Sequence, residues 1–364
     1  MNKSKKILVL ANASGGLYRF RKELLSELVK SYDIYAATPL AVKVDELKNI
    51  GVELIDIPVD RRGINPITDF NLFIKYVNVI KRVKPDLVVT YTIKPNIYGG
   101  IASRLCHVKY ATNITGLGTA FQKEGLLRKT VFNLYKVALK KAITVFFENS
   151  ENLDFMVKNR IIREDQCCLL NGAGVNLNQY KYHQYPFDNN PFVFLFVGRV
   201  MKEKGIEELF QAMKKLCEEG FNCVLDVLGG YEEDYKYAME KYTGEGWLRY
   251  HGYQDNVIPF IKTSNCFVLP SWHEGMANTN LECASIGRPI ITTDIPGCKE
   301  AVLDNKSGLL CKPKDCNSLY EKMREMVLFT DDKREKMGLE GRKHMEKNFD
   351  KNAIVNKTIE HLYL

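Results

Sequence analysis

Two doubly wound α/β domains, each a parallel sheet covered by helices, are what this chain of 364 residues should form. Three observations point there. Short apolar runs alternate with helical patterns along the whole chain, the arrangement of β-α-β units and hence of a parallel sheet. The length exceeds what one core usually organises, at roughly 100–200 residues per domain. The alternation is also broken near the middle by NGAGVNLNQYKYHQYPFDNNP, a polar and aromatic stretch with neither helical nor strand period.

In the first half the apolar runs are Ile7–Ala11, Ile34–Ala37, Leu54–Ile57, Leu87–Tyr91, Tyr110–Ile114, Val145–Phe147 and Cys167–Leu170. The first leads into Ser14-Gly15-Gly16 and a helix from about Leu17 to Lys30, with Phe20, Leu24, Leu25 and Leu28 on its apolar face. Gly15 and Gly16 lack side chains, so backbone can approach a ligand there, although a plain tight turn would use them equally well. The second half repeats the plan with Phe192–Val197, Val224–Leu228, Leu248–Tyr250, Cys266–Leu269, Pro289–Thr292 and Gly308–Leu310. The expected division is residues 1–175, a linker at 176–190, and residues 191–352, followed by an amphipathic helix at 353–364. Two such halves should enclose a cleft, a preferred place for ligands.

Composition narrows the function. No apolar run reaches the ~18–20 residues that cross a bilayer. The N-terminal MNKSKKILVLANA imitates a signal peptide, but its apolar core, Ile7–Ala11, falls short of the ~7–15 residues of an h-region and suits a first buried strand. A cytoplasmic protein is expected. The ten cysteines form no C-x-x-C pair, and several sit inside apolar runs as small hydrophobes. Charge is uneven: residues 1–183 carry 28 Lys+Arg against 16 Asp+Glu, net +12, and residues 184–364 carry 24 against 28, net −4. The basic half implies an anionic partner. RNP-like, helix-turn-helix and zinc-finger patterns are all missing around the basic stretches, which argues against nucleic acid. Gly15-Gly16, Gly116-Leu117-Gly118 and Gly172-Ala173-Gly174 lack the third glycine of G-x-G-x-x-G, and no Walker A lysine motif is present, which disfavours dehydrogenases and P-loop enzymes.

Two stretches carry the candidate chemistry. From Phe194, a buried strand delivers Gly198 and Arg199 to its carboxyl edge, and Lys204-Gly205 precedes a helix beginning at Ile206. Two cations beside a helix N-terminus make an anion site, though either alone would be an ordinary solvated charge. The second stretch, CFVLPSWHEGMANTNLECASIGRPIITT, reads strand, loop, helix, strand. Its loop, Ser271–Met276, falls where open α/β sheets bind ligands, and it holds Glu274 and Gly275. A helix starting near Ala277 should place Asn278, Glu282 and Ser285 on a polar stripe and turn Leu281 and Ala284 to the sheet. An acid early in a helix is also favourable against the macrodipole with no further role. His273 has no ligand partner at useful spacing and counts as a loop residue.

In residue type, order and placement, Gly198-Arg199, Lys204-Gly205, Glu274-Gly275 and Glu282 resemble the GT4-type family of retaining GT-B glycosyltransferases. The resemblance implies that Glu274 contacts the donor sugar and Glu282 the nucleotide ribose. Arg199, Lys204 and the backbone N–H groups of Gly275, Met276 and Ala277 would stabilise the departing diphosphate without a metal, and the C-terminal helix would cross back onto the first domain. Gly15 and Gly16 would face the donor. Many members carry a histidine where this chain has Asn113-Ile114-Thr115-Gly116, and Thr115 stands in its place. NITGLGTAF and Thr92-Ile93-Lys94-Pro95-Asn96-Ile97-Tyr98-Gly99 resemble a bacterial subgroup that extends lipid-linked oligosaccharides for capsule, O-antigen or protein glycans, often from UDP-sugars. The implied partners are a nucleotide-sugar co-substrate, a lipid-pyrophosphate-linked glycan and an anionic membrane surface on the inner face of the cell membrane. The helix near Leu126–Lys141 bears Lys129, Asn133, Lys136 and Lys140 on one face and Leu127, Val131, Leu134, Tyr135 and Ala138 on the other, a pattern that fits such a surface or plain packing on a sheet. A GT-B epimerase or hydrolase, or a catalytically silent nucleotide-sugar-binding subunit, shares these features.

Overall fold

A computed structural model of the chain describes residues 5–61, 63, 65–117, 125–187 and 190–363. The part of NITGLGTAF from Gly118 on lies outside them, as does the side chain of Leu127. The chain divides into two compact units, residues 1–173 with 352–364, and residues 174–351.

The first unit runs β1 (Lys6–Leu10), α1 (Ser14–Leu28), β2 (Asp33–Thr38), α2 (Val44–Ile50), β3 (Glu53–Asp56), α3 (Pro66–Val83), β4 (Leu87–Tyr91), a π-helical turn at Pro95–Gly99 leading into α4 (Gly100–Leu105), β5 (Lys109–Ile114), α5 (Leu126–Leu139), β6 (Thr144–Phe147), α6 (Ser150–Lys158) and β7 (Cys167–Leu169). Among the described residues its strands form one parallel sheet in the order β3-β2-β1-β4-β5-β6-β7. The central strands are buried on both faces, which is why β4 reads as an unbroken apolar run and not as an alternation. One face is covered by α3, α4 and α5 through Leu72, Tyr76, Ile80, Ala102, Tyr135 and Leu139, and the other by α1 and α2. Pro66 at the first turn and Asn65, whose side chain accepts from the Ile67 N–H at 2.9 Å, start α3.

The second unit runs β8 (Phe192–Val197), α7 (Ile206–Glu218), β9 (Cys223–Leu228), α8 (Lys236–Gly244), β10 (Leu248–Gly252), α9 (Ile258–Thr263), β11 (Cys266–Leu269), α10 (Asn278–Ile286), β12 (Ile290–Thr293), β13 (Gly308–Cys311), α11 (Cys316–Leu328) and α12 (Asp331–Asn348). Its parallel sheet is ordered β10-β9-β8-β11-β12-β13. The last helix, α13 (Lys351–Glu360), belongs to the first unit, where Ile354, Val355 and Leu362 join the core formed with Leu17, Leu24 and Leu28 of α1. The Thr144 hydroxyl donates to the His361 carbonyl at 2.6 Å, closing that contact.

Two elements differ from the sequence expectation for physical reasons. Ser14, Gly15 and Gly16 are the first turn of α1 and not a loop ahead of it. The stretch 176–190, expected as a linker, is in part seated on the second unit: the fully buried Arg288 donates to the carbonyls of His183 at 3.0 Å and Gln184 at 2.8 Å, and Tyr185 is buried against it. A buried guanidinium needs several acceptors, and backbone carbonyls of an extended strap supply them without a second charge. Burial holds the Arg288 guanidinium below its ordinary value, at about 10.

Candidate active site

In the second sheet the chain leaves β8 for β9 and β10 on one side, then returns to the other side of β8 with β11. That reversal is the switch point at which doubly wound sheets open a crevice beyond the carboxyl ends of their strands. The two loops singled out in the sequence, 198–205 after β8 and 270–277 after β11, meet there. The Trp272 N–H donates to the Glu203 carbonyl at 2.9 Å, and the Ser271 hydroxyl lies 3.3 Å from the same carbonyl. Gly205 makes this approach possible. It has φ +73°, and a Cβ on it would fall 2.1 Å from the Pro270 carbonyl oxygen.

This lacing brings two of the candidate side chains into contact. The Lys204 ammonium pairs directly with Glu274 Oε1, and the Ser271 hydroxyl donates to that oxygen at 2.8 Å. Both partners are largely shielded, with side-chain exposures of 18% and 13%, so the pair is felt more strongly than a surface pair would be. Among the described residues nothing is bonded to Glu274 Oε2. His273 Nε2 stands 3.2 Å from Glu203 Oε2 without forming a hydrogen bond to it. Thr293, at the end of β12, donates from its hydroxyl to the Ser271 carbonyl at 2.6 Å.

Arg199 is placed otherwise. It leaves the carboxyl end of β8 as expected, but its guanidinium pairs with Glu232 at 3.4 Å and its side chain is 49% exposed. It therefore stands as a separate, open cation with a carboxylate from the loop after β9. Gly198 next to it is spent on the fold, since its N–H donates to the Leu228 carbonyl at 2.9 Å.

The helix carrying Glu282 also corrects the sequence expectation. Residues 280–286 of α10 are buried on every side; of the expected polar stripe, Glu282 and Ser285 lie inside and Asn278 is half-buried. The outer side is covered by α12, which approaches closely through Gly338 and Gly341. A helix whose every side is covered has no amphipathic signal for a sequence pattern to find. The expected row of free N–H groups is likewise shorter than foreseen. The Ala277 N–H donates to the Gly297 carbonyl at 2.7 Å, and Met276 and Ala277 put their side chains into the core. Gly297 has φ +82°, and a Cβ there would come 2.6 Å from the Gly275 oxygen and 2.7 Å from that of Glu274, so the 294–297 turn buttresses the Glu274 loop from behind. Gly297 and Thr293 are the residues that sequence reasoning missed, and neither had a local signal. Ser271 and Gly205 lay in the stretches it named, but the hydrogen bond of the one and the close packing of the other were not foreseen. Burial, with the nearby Glu274 carboxylate, pushes the Cys298 thiol up, so it stays protonated behind the site.

The first unit has its own switch point between β1 and β4. Gly15 and Gly16 sit there in the first turn of α1, whose N-cap, Ala13, offers no side-chain acceptor. A Cβ on Gly15 would strike Val42 at 2.5 Å, whereas one on Gly16 would meet only open space. Thr92, just past β4, holds φ +74°, an uncommon state for a β-branched residue. Lys94 then reaches Asp69 at 2.6 Å, and the Tyr98 hydroxyl donates to the same carboxylate at 3.0 Å. Thr115 is half-buried at the carboxyl end of β5. Arg21 and Glu148 form a shielded pair at 2.8 Å, with the guanidinium 4.9 Å from the centre of the Tyr91 ring.

Two units of doubly wound parallel sheet, with the last helix returned to the first, define the GT-B class of glycosyltransferase architecture. The chain matches the family described as glycosyl transferases group 1 over residues 181–344 and the family described as glycosyl transferase 4-like over residues 6–149, and it is a glycosyltransferase of these families. It is similar to the N,N'-diacetylbacillosaminyl-diphospho-undecaprenol alpha-1,3-N-acetylgalactosaminyltransferase of Campylobacter jejuni, at 26% identity over 89% of each chain. It is also similar to the capsular polysaccharide biosynthesis glycosyltransferase CapM of Staphylococcus aureus, at 25% identity over 99% of this chain and 97% of that one. Among solved structures, Anabaena Alr3699/HepE in complex with UDP superposes with a TM-score of 0.80 at 16% identity, covering 98% of this chain and 99% of that one, which speaks for the fold.

Proposed function

We propose that the protein transfers a hexose or N-acetylhexosamine-type sugar, with retention of configuration, from a nucleotide donor to a lipid-diphosphate-linked glycan; the name of the Campylobacter relative describes N-acetylgalactosaminyl transfer to a diphospho-undecaprenol-linked sugar. The observation that carries the proposal is the Lys204–Glu274–Ser271 cluster at the switch point of the second sheet, with Glu282 buried in the adjoining helix. In the transfer the bond from the anomeric carbon to the diphosphate breaks, a glycosidic bond to the acceptor hydroxyl forms, and that hydroxyl gives up its proton. Negative charge grows on the diphosphate as it leaves. Lys204 and Arg199 are the cations proposed to meet it, in place of a metal, and a preorganised donor of this kind is worth about 3–4 kcal/mol. Glu274 Oε2 is proposed to accept from a sugar hydroxyl and Glu282 from the ribose. Gly15, Gly16 and Thr115 are the proposed first-unit contacts.

The test is a panel of nucleotide sugars, UDP-linked ones first, with and without a lipid-diphosphate glycan and with EDTA present. Acceptor-dependent transfer that survives EDTA supports the proposal. Turnover without acceptor would make the protein an epimerase or hydrolase, and thermal stabilisation by a donor without turnover would make it a binding subunit. Arg199→Ala and Glu282→Ala are each expected to lower kcat/KM by roughly ten- to a thousandfold, with Glu282 acting mainly on donor affinity. Unchanged kinetics in both would remove them from the site.

A lipid-linked acceptor calls for a membrane-side surface, and we place the protein peripherally on the inner face of the membrane. No helix among the described residues is long and apolar enough to cross one. Lys129 and Lys136 on α5, and Lys140 directly after it, are exposed. Each lysine near an anionic bilayer contributes roughly 1 kcal/mol, so reversing all three to Glu should lower the fraction sedimenting with anionic vesicles by at least about tenfold. Equal sedimentation would make the basic face of α5 ordinary surface.

A further inference from the structure

The outward stripe of α3 is apolar where a solvent-facing helix should be polar. Ile67 is 73% exposed, Phe70 61% and Ile74 39%, and their spacing of three and four residues puts them on one side of the helix. Single exposed apolar side chains are ordinary, but three in a row on one stripe form a patch. Phe70 also borders an apolar hollow of about 310 Å³ walled by Pro66, Phe73, Tyr98 and Ile101. Further along the same helix the exposed positions turn to Lys75, Lys81 and Arg82.

The neighbouring helices of this layer carry the same chemistry. Leu105 at the end of α4 is 59% exposed and Val137 on α5 is 49% exposed. Beside Val137 lies an open groove of about 870 Å³, floored by Ile161 and Ile162 and edged by Lys136, Lys140 and Arg160. None of those three cations has a partner among the described residues. Arg104, also on its edge, is spent on the Val137 carbonyl. Basic residues at helix ends do offset the macrodipole, yet that accounts for one or two per helix and not for apolar side chains held in water on the same helices. Acids are few on the face: α5 has none, the one on α3, Asp69, is engaged by Lys94 and Tyr98, and Glu164 is the one carboxylate lining the groove.

Apolar side chains and unpaired cations exposed on helices of one layer match a bilayer carrying anionic headgroups, since interfacial helices lie in its plane with cations at the headgroup level. A second copy of the chain matches poorly, because a two-fold contact would set this positive face against itself. We propose that the outer face of α3, α4 and α5 seats on an anionic phospholipid bilayer, with Ile67, Phe70 and Ile74 entering the acyl boundary and the Lys136–Lys140–Arg160 groove taking lipid phosphates. This rests on the peripheral-membrane reading above and goes past it, since it assigns the anchoring to apolar side chains of α3 and not to charge alone.

The test uses the full chain and sedimentation with vesicles of phosphatidylcholine alone or with phosphatidylglycerol added. The triple variant Ile67→Ser, Phe70→Ser, Ile74→Ser should bind the mixed vesicles roughly a hundredfold more weakly than the wild type, since burial of three large side chains is lost. Its far-UV spectrum, thermal stabilisation by UDP and transfer to a water-soluble short-chain acceptor should match the wild type, because these positions face solvent. Mixed-vesicle binding unchanged in the variant would overturn the assignment. So would wild-type binding equal on neutral and mixed vesicles, or a wild-type dimer in sedimentation velocity that the variant dissolves. Vesicle binding by a protein that transfers no sugar would leave this surface standing and defeat the transferase proposal instead, so the two failures read differently.

Discussion

Lys204→Ala should lower kcat by about a hundred- to a thousandfold while changing KM for the donor far less. The reason is where the charge is needed. A diphosphate carries its full negative charge on the bridging side only as the bond to the sugar breaks, so a cation held at that point acts mainly on the transition state. The ammonium is held by its contact with Glu274, and its turn is fixed by backbone bonds that the substitution leaves in place: Lys204 N–H to the Met201 carbonyl at 3.1 Å, and Trp272 N–H to the Glu203 carbonyl at 2.9 Å. Unfolding should therefore stay cooperative. Lys204→Arg keeps the charge and should recover part of the rate. If the alanine variant turns over at the wild-type rate, or if the loss falls wholly on KM, the leaving-group role is wrong.

Gly205→Ala should act through the backbone and be the more damaging of the two to the fold. The residue sits at φ +73°, and its missing Cβ leaves room for the Pro270 carbonyl, which a methyl group would approach to 2.1 Å. A left-handed conformation alone would be strained by about 1–2 kcal/mol, and displacing a backbone carbonyl at the end of a buried strand brings the expected loss to roughly 3 kcal/mol or more. The two loops would part, and Lys204 would leave Glu274. Urea denaturation measures the stability and donor thermal shift measures the site. Gly205→Asn separates the two causes: Asn tolerates the left-handed region but still carries a Cβ, so it should rescue little. Full rescue by Asn would show that conformation, not the close approach, is what the position requires.

The pairing of Lys204 with Glu274 shows how far a linear reading reaches. Both residues were legible as site residues from their place after an apolar run and before a helix, but they stand 70 positions apart, and only the neighbouring of β8 and β11 in the sheet sets them side by side. Arg199 was legible on the same grounds, and yet its guanidinium goes to Glu232. Nothing local to Arg199 announces that choice, because Glu232 arrives on the loop after β9. The expected polar stripe of α10 met another limit. Periodicity locates a helix with one wet side, and residues 280–286 of α10 have none, since α12 closes over them.

Strand runs, the doubling of the plan and the residue types of the donor site follow from local chemistry, because a buried parallel strand must be continuously apolar and its carboxyl-end loop must carry whatever meets the ligand. Strand order, the pairing of side chains across loops and the exposure of Ile67, Phe70 and Ile74 belong to the folded molecule alone. An apolar residue on a helix looks the same in sequence whether its side is covered or bare, and only the packing of neighbouring helices decides which it is.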